Sequence, residues 1–218
     1  MNLLIHGTGK QAQLVYGEIS RDKKYRVVGF TCDDEFFKDA AFMGKKVFKI
    51  SGIEKIFNPK NTFVLSLGLF SSPRKRYTSY LNIKKKGYKF INFISKNAII
   101  QKDLKIGENN VIYGGVYLDF YGTIGNNNVI RPNTYIGHNF EIENGVYISP
   151  GCNIAGYCKI KNLSFIGIGS TVIEKKIVSE ETLIGAASLV IKDTKPFSKY
   201  AGTPAKKIGE HKETGIIL

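Results

Sequence analysis

From residue 94 onward an aliphatic side chain returns at every sixth position: Ile94, Ile100, Ile106, Ile112, Leu118, Ile124, Ile130, Ile136, Ile142, Ile148, Ile154, Ile160, Ile166, Val172, Val178, Ile184 and Val190. A helix repeats every 3.6 residues and a flat strand every two, so neither sustains that period. A parallel β-helix does, because its short strands turn a corner every six residues. Eighteen residues then make one three-sided coil, and residues 94–194 predict about five and a half coils stacked roughly 4.8 Å apart. Compact residues recur four positions after the anchors, at Val116, Gly122, Thr134, Cys152, Cys158, Ser164 and Ser170. A narrow interior tolerates such residues beside a large anchor. Gly107, Gly125, Gly137, Gly167 and Gly185 directly follow anchors, and Asn109, Asn110, Asn126, Asn127, Asn128, Asn144 and Asn162 crowd the turns. Both residue types accept tight or left-handed corners at little cost. Every anchor is expected to be buried.

The first half follows another pattern. An apolar run, Leu3-Leu4-Ile5, meets a Gly7-Thr8-Gly9 turn and a helical stretch over residues 11–20. A strand at 25–30, an apolar strand at 62–67 ending on Gly68 and a basic helix at 74–86 follow. Strand, helix, strand, then strand and helix again describe a small parallel sheet of the nucleotide-binding kind. Pro196 and Pro204 suit a crossing loop and a short cap over the open end of the solenoid. The fold predicted is mainly β: a parallel β-helix over 94–194, preceded by a small α/β Rossmann-like domain over 1–93 and closed by a loop and cap over 195–218.

Charge alters this picture in one half only. The 218 residues carry 32 Lys and Arg against 18 Asp and Glu. Residues 1–93 hold 18 basic and 7 acidic side chains, net +11, and the remainder 14 and 11, net +3. A basic domain favours a polyanion, a phosphate-bearing small molecule or an anionic surface, and plain solvated helix and loop faces are the alternative. The clusters Arg74-Lys75-Arg76 and Lys84-Lys85-Lys86 belong to no nucleic-acid-binding motif, so no nucleic-acid partner is expected. The apolar runs are too short to span a bilayer, and the start of the chain reads as a folded, cytoplasmic N-terminus. Cys32, Cys152 and Cys158 form no CxxC pair and lie near no histidine, so neither a disulfide framework nor a metal site is expected. Cys152 and Cys158 read as core thiols.

Candidate chemistry gathers at two places. Gly7-Thr8-Gly9-Lys10-Gln11-Ala12 keeps the first two glycines of a phosphate-cradling GxGxxG turn after a strand, with alanine in the third place. A purely structural turn is the alternative. Asp33 and Asp34 follow a little over twenty residues later, where a carboxylate reaches ribose hydroxyls or a base. In the repeat, His138 stands just past a corner and faces outward, where an imidazole can take a proton near neutral pH. An ordinary surface histidine is the alternative reading. One coil of eighteen residues further on is Gly156, whose backbone N–H is left uncovered above His138. A base for the nucleophile and a donor for a developing oxyanion are what acyl transfer needs. His6 and His211 are assigned no part in turnover.

These residues resemble the bacterial nucleotide-sugar N-acetyltransferases and sialic acid O-acetyltransferases of the hexapeptide-repeat acyltransferases. The likeness runs from Leu3–Gly9 through Ser66-Leu67-Gly68 with Arg74, the repeats, Asn133–Asn139, Ile148–Gly156 and Gly185-Ala186-Ala187-Ser188 to Gly202-Thr203-Pro204-Ala205-Lys206. It implies a left-handed β-helix and a homotrimer with acetyl-CoA between neighbouring subunits. His138 matches the catalytic base, and Gly156 the residue whose amide meets the thioester carbonyl. Gly7, Gly9, Gln11, Asp33 and Gly68 fall at the sugar-nucleotide site, and Tyr147, Gly156, Ala187, Gly202 and Pro204 at the cofactor site. The function implied is transfer of acetyl from acetyl-CoA to the 4-amino group of a nucleotide-linked deoxy-amino sugar, for surface glycan synthesis. No metal is implied. The alternatives are O-acetylation of a sugar hydroxyl and a non-catalytic binding scaffold.

Three positions depart from the family pattern. Asn139 stands where many relatives carry an acidic partner of the base, Tyr147 where many carry a second histidine, and Gln11 where many have another in the glycine turn. Tyr113, Phe120, Tyr121, Tyr135 and Phe140 are expected to face outward, and several of them to be covered by neighbouring subunits.

Overall fold

The computed structural model describes residues 1–68 and 71–218. Contacts divide the chain into two compact units: Met1–Leu69 with Lys75–Phe93, and Phe70–Arg74 with Ile94–Leu218.

In the first unit, β1 (Asn2–His6) leads into α1 (Lys10–Ile19) and returns as β2 (Arg26–Cys32). A short hairpin, β3 (Ala41–Phe42) and β4 (Lys45–Lys49), precedes β5 (Thr62–Ser66), α2 (Pro73–Lys85) and β6 (Lys89–Phe90). The sheet order is β3-β4-β2-β1-β5-β6, with β1 parallel to both β2 and β5. Leu3, Leu4 and Ile5 are all buried, as a central parallel strand covered on both faces requires. Along α1 the buried residues are Ala12, Val15 and Ile19, spaced to form one apolar stripe. Proline opens α2, at the position where its missing N–H removes no helical bond. The hairpin over 41–49 was not anticipated, because three of the five β4 residues are lysines and only Val47 is buried.

The second unit is the solenoid, a left-handed β-helix. Its two-residue strands stack on three faces, each pairing in parallel with the strand eighteen residues on: Ile112 with Ile130, Leu118 with Ile136, Ile124 with Ile142. Every anchor from Ile112 to Val190 is buried in one continuous core, which also holds Cys152 and Cys158. Corners carry one left-handed residue per turn, in columns eighteen apart: Asn109, Asn127, Gly145, Leu163 and Glu181 along one edge, Gly115, Asn133, Gly151, Gly169 and Ala187 along the next. Asparagine rungs tie successive coils, with the Asn126 N–H donating to Asn144 Oδ1 at 2.8 Å and the Asn144 N–H to Asn162 Oδ1 at 3.0 Å.

Three expectations need correction. Ile94 is 40% exposed, and Ile100 and Ile106 are half-buried, because the first coil of this unit lacks a coil below it to close its interior. Phe140 and Tyr113 are buried within the chain itself. Phe140 turns inward over Gly122, where a Cβ would come within 2.1 Å of its Cε1, so the glycine one coil below makes room for the ring. The tail is more than a loop: Ser198–Ala201 adds in parallel to Leu183–Ile184, and Lys206–Glu210 folds back antiparallel on it.

The Gly122–Phe140 fit gives a stability prediction. Gly122→Ala is expected to destabilise the fold by about 1–3 kcal/mol, since an extra methyl in a filled core forces side chains off their rotamers. Adding Phe140→Leu should recover part of that loss. Urea unfolding of the two variants checks it, and a native midpoint for Gly122→Ala would contradict the packing described.

Candidate functional site

His138 sits on the corner between the face that carries Tyr135–Ile136 and the face that carries Glu141–Ile142. Its side chain is exposed, so it supports no core. Asn139, in the left-handed region at φ 55, turns its Oδ1 to within 3.0 Å of His138 Nδ1. An amide oxygen only accepts, so in the neutral ring Nδ1 carries the proton and Nε2 keeps its lone pair. The next coil comes close at this point. A Cβ on Gly156 would lie 3.0 Å from both Cε1 and Nε2 of His138, and a Cβ on Gly137 would lie 2.8 Å from Gly156 N. The backbone of the next coil leaves no room for a side chain at Gly137, and at Gly156 a side chain would press on the imidazole. The Tyr157 N–H bonds the His138 carbonyl at 2.9 Å, and the Tyr157 ring meets the imidazole edge-on at 5.0 Å. Among the described residues, the Gly156 N–H donates to no partner.

Beside this corner lies a groove of about 250 Å³ on the second face, lined by Tyr135, Asn153, Ala155, Thr171 and Glu174. Sequence reasoning missed Asn153, Thr171 and Glu174. Their only signal was position: Asn153 and Thr171 are the outward members of strands whose inward members are anchors, and Glu174 shares the column of His138 and Gly156. At the far end of the same face, Gly202 N donates to Ser188 Oγ at 3.2 Å and Thr203 Oγ1 to Ala187 O at 3.2 Å. Ala187 and the Gly202–Pro204 loop are thus brought together. Tyr147 is not: it opens a strand of the first face and stacks flat on Phe165 at 4.9 Å. Burial pushes the Cys152 thiol up to about 11 and raises that of Cys158, so neither is a nucleophile near neutral pH.

The first unit holds a separate cluster at the carboxyl ends of β1, β2 and β5. There the chain crosses from one side of β1 to the other, the place where open parallel sheets leave a ligand crevice. Gly7, at φ 124, donates its N–H to Thr31 O at 2.7 Å, and a Cβ on it would lie 3.8 Å from Gly68 N. Gly68, at φ 54, could hold no Cβ without meeting Arg76 Cγ at 2.9 Å. Gly9 caps α1, with open space where its side chain would be, and half-buried Gln11 lies in the first turn. A pocket of about 180 Å³ lies alongside, lined by Thr8, Cys32, Phe36, Lys38 and Phe42.

His6, assigned no role from sequence, belongs to this cluster. It is buried, with Nδ1 3.0 Å from Thr31 Oγ1, Nε2 2.9 Å from Ser79 Oγ and 3.7 Å from Asp33 Oδ1. The nearby His6 imidazole leads the influences that hold the Asp33 carboxyl below the usual carboxylate range, against the opposing effect of partial burial. Among the described residues no helix is long and apolar enough to cross a membrane.

The bacterial transferase hexapeptide model (six repeats) matches residues 122–156, the stretch that contains both His138 and Gly156. No curated protein sequence matches the chain. Among solved structures, a point mutant of the perosamine N-acetyltransferase of Caulobacter crescentus bound to CoA and GDP-perosamine superposes with a TM-score of 0.85 at 20% identity, covering 96% of this chain and 98% of that one. The acetyltransferase domain of PglB from Neisseria gonorrhoeae bound to acetyl coenzyme A gives 0.85 at 19% identity, over 95% and 98%. WeeI from Acinetobacter baumannii gives 0.82 at 17%, over 95% and 100%. With its unbroken six-residue period and an α/β unit ahead of its coils, the chain has the fold of these sugar acetyltransferases, and its residues 122–156 carry the bacterial transferase hexapeptide pattern.

Proposed function

We propose that the protein transfers the acetyl group of acetyl-CoA to the 4-amino group of a nucleotide-linked deoxy-amino sugar, a cytoplasmic step toward a surface glycan. The observation that carries this reading is the His138 imidazole, its Nε2 free to accept a proton, packed on Gly156 beside a groove that leads toward Ala187 and Gly202. The sugar amine attacks the thioester carbonyl while His138 Nε2 takes its proton. The Gly156 N–H stabilises the tetrahedral oxyanion. Collapse breaks the carbon–sulfur bond, and the proton held by His138 passes to the departing thiolate. Asn139 keeps the ring in the reactive tautomer and, being neutral, stabilises the imidazolium less than a carboxylate would. The solved relatives bound to CoA and GDP-perosamine support the donor and the acceptor class. Gly7, Gly9, Gln11, Asp33 and Gly68 are assigned to the nucleotide.

Incubation of the protein with acetyl-CoA and a panel of nucleotide 4-amino sugars, with mass detection, tests the reading. Addition of one acetyl group to an amino sugar supports it. Acetylation of hydroxyl sugars alone, or of none, overturns it.

The same reading includes a closed ring of three chains. Phe120, Tyr121, Tyr157, Ile173 and Ile191 are exposed coil after coil along the corner that carries His138, a stripe larger than a solvated face needs. Tyr147, on a different face, would reach a groove of this kind only from a neighbouring copy. Light scattering at micromolar concentration should therefore give three times the chain mass. A monomer with full acetyltransfer would defeat both the ring and the shared cofactor site.

A further inference from the structure

We propose that His6 is a positioning residue that aims the Asp33 carboxylate at the nucleotide, directly and through the Ser79 hydroxyl. The inference rests on the assignment of the first unit to the nucleotide, and it deepens that assignment with a residue that has no place in the glycine turn itself.

Three elements meet at this ring. His6 ends β1 one residue before Gly7, Thr31 lies near the end of β2 with Asp33 just past it, and Ser79 lies on α2. The imidazole is 2% exposed, whereas the Asp33 side chain is 40% exposed. One group is therefore sealed in the scaffold and the other presented at its surface. Burying a titratable ring is costly unless both nitrogens are partnered, and both are, by Thr31 Oγ1 and Ser79 Oγ. Ser79 Oγ also lies 3.5 Å from Asp33 Oδ1. With the Ser79 hydroxyl proton directed at Asp33, its oxygen accepts from His6 Nε2–H, and Nδ1 accepts from the Thr31 hydroxyl. The direction of every donor in the chain then leads to the carboxylate. A protonated ring would donate to the same partners and face Asp33 as an ion pair, so either form of His6 holds the carboxylate in place. The other charged group acting on Asp33 is Asp34 on the same turn, which opposes ionisation and is itself engaged by the Ser51 hydroxyl and N–H. A carboxylate fixed in this way meets ribose hydroxyls without losing rotamer freedom on binding, which is where affinity is gained.

The test uses the full chain and isothermal titration with GDP, UDP and dTDP, continued with whichever binds most tightly. His6→Leu and Ser79→Ala should each weaken that nucleotide roughly tenfold, the scale of one hydrogen bond to a charged group. His6→Gln, which keeps a donor near the Nε2 position, should recover most of the loss, as a merely space-filling role would not predict. In the Asp33→Asn background, His6→Leu should add little, because the two act on one carboxylate. Independently of any nucleotide, NMR titration should find the Asp33 carboxyl pKa raised in His6→Leu, and Ser79→Ala keeps the comparison available should His6→Leu not fold. An unchanged Asp33 titration, or native affinity in both His6→Leu and Ser79→Ala alongside a weakened Asp33→Asn, overturns the role of His6. Native affinity in Asp33→Asn overturns the placement of Asp33 at the nucleotide. Failure of the wild-type protein to bind any of the three defeats the reading of the first unit and this proposal with it.

Discussion

His138→Ala is expected to lower acetyl transfer by roughly 10²- to 10⁴-fold, the usual contribution of a positioned general base. The loss should fall on kcat, since the imidazole acts on the proton that leaves the amine in the transition state and adds little to ground-state binding. The fold should survive. The ring is exposed, its Nδ1 bonds the neighbouring Asn139, and it otherwise lies against Gly156 and the edge of the Tyr157 ring, while the coils at this point are joined by the Tyr157 N–H and the His138 carbonyl, which alanine retains. His138→Asn should be as damaged, because it offers a polar group that cannot take up a proton. Asn139→Asp should preserve or raise turnover: aspartate tolerates the left-handed corner nearly as well as asparagine, and its carboxylate stabilises the imidazolium more strongly than an amide oxygen. Steady-state thiol release from acetyl-CoA, measured with an accepted amino-sugar nucleotide, reads all three variants. Near-native turnover in a folded His138→Ala protein would remove this histidine from the mechanism.

The solenoid could be read from the sequence because its register is written in one residue class at one period, and each anchor reports the same constraint independently. The pairings Ile112–Ile130 and Leu118–Ile136 follow from counting eighteen. The stacking of Gly156 on His138 follows from the same count. What counting does not give is direction at the ends and inside exceptions. Ile94 has the right residue type but no coil below it, and Phe140 looks like a surface aromatic until Gly122, one coil away, is seen to leave it a space. The cluster at the carboxyl ends of β1, β2 and β5 was legible in its glycines, Gln11 and Asp33, but not in His6 or Ser79. The backbone requirements of the glycines are local, whereas the His6–Ser79 contact joins residues 73 positions apart through the packing of α2 against the sheet, and no periodicity relates them. A histidine one residue before a glycine turn was the available signal, and only burial and distance give it a role.

Gly156→Ala should cost acetyl transfer on the order of 10²-fold while leaving the thermal midpoint near native. Gly156 is not in the left-handed region, so alanine is not strained there by its backbone. Its methyl, however, would stand 3.0 Å from His138 Cε1 and Nε2, tighter than van der Waals contact allows, and the neighbour free to move is the exposed imidazole rather than the coil. A ring displaced by a few tenths of an ångström to one ångström no longer points Nε2 along the line of the departing proton, and misplacement on that scale is enough for a loss of this size. Alanine keeps its N–H, so the oxyanion donor remains and the loss must travel through the ring or through the space the substrate needs. The double variant separates these. With His138→Ala already in place there is no imidazole left to displace, and adding Gly156→Ala should lower turnover much less than it does in the native background. Equal losses in both backgrounds would mean that the methyl blocks substrate and not the base. Full activity in Gly156→Ala would mean that the His138 ring reacts from a position other than the one packed on this glycine.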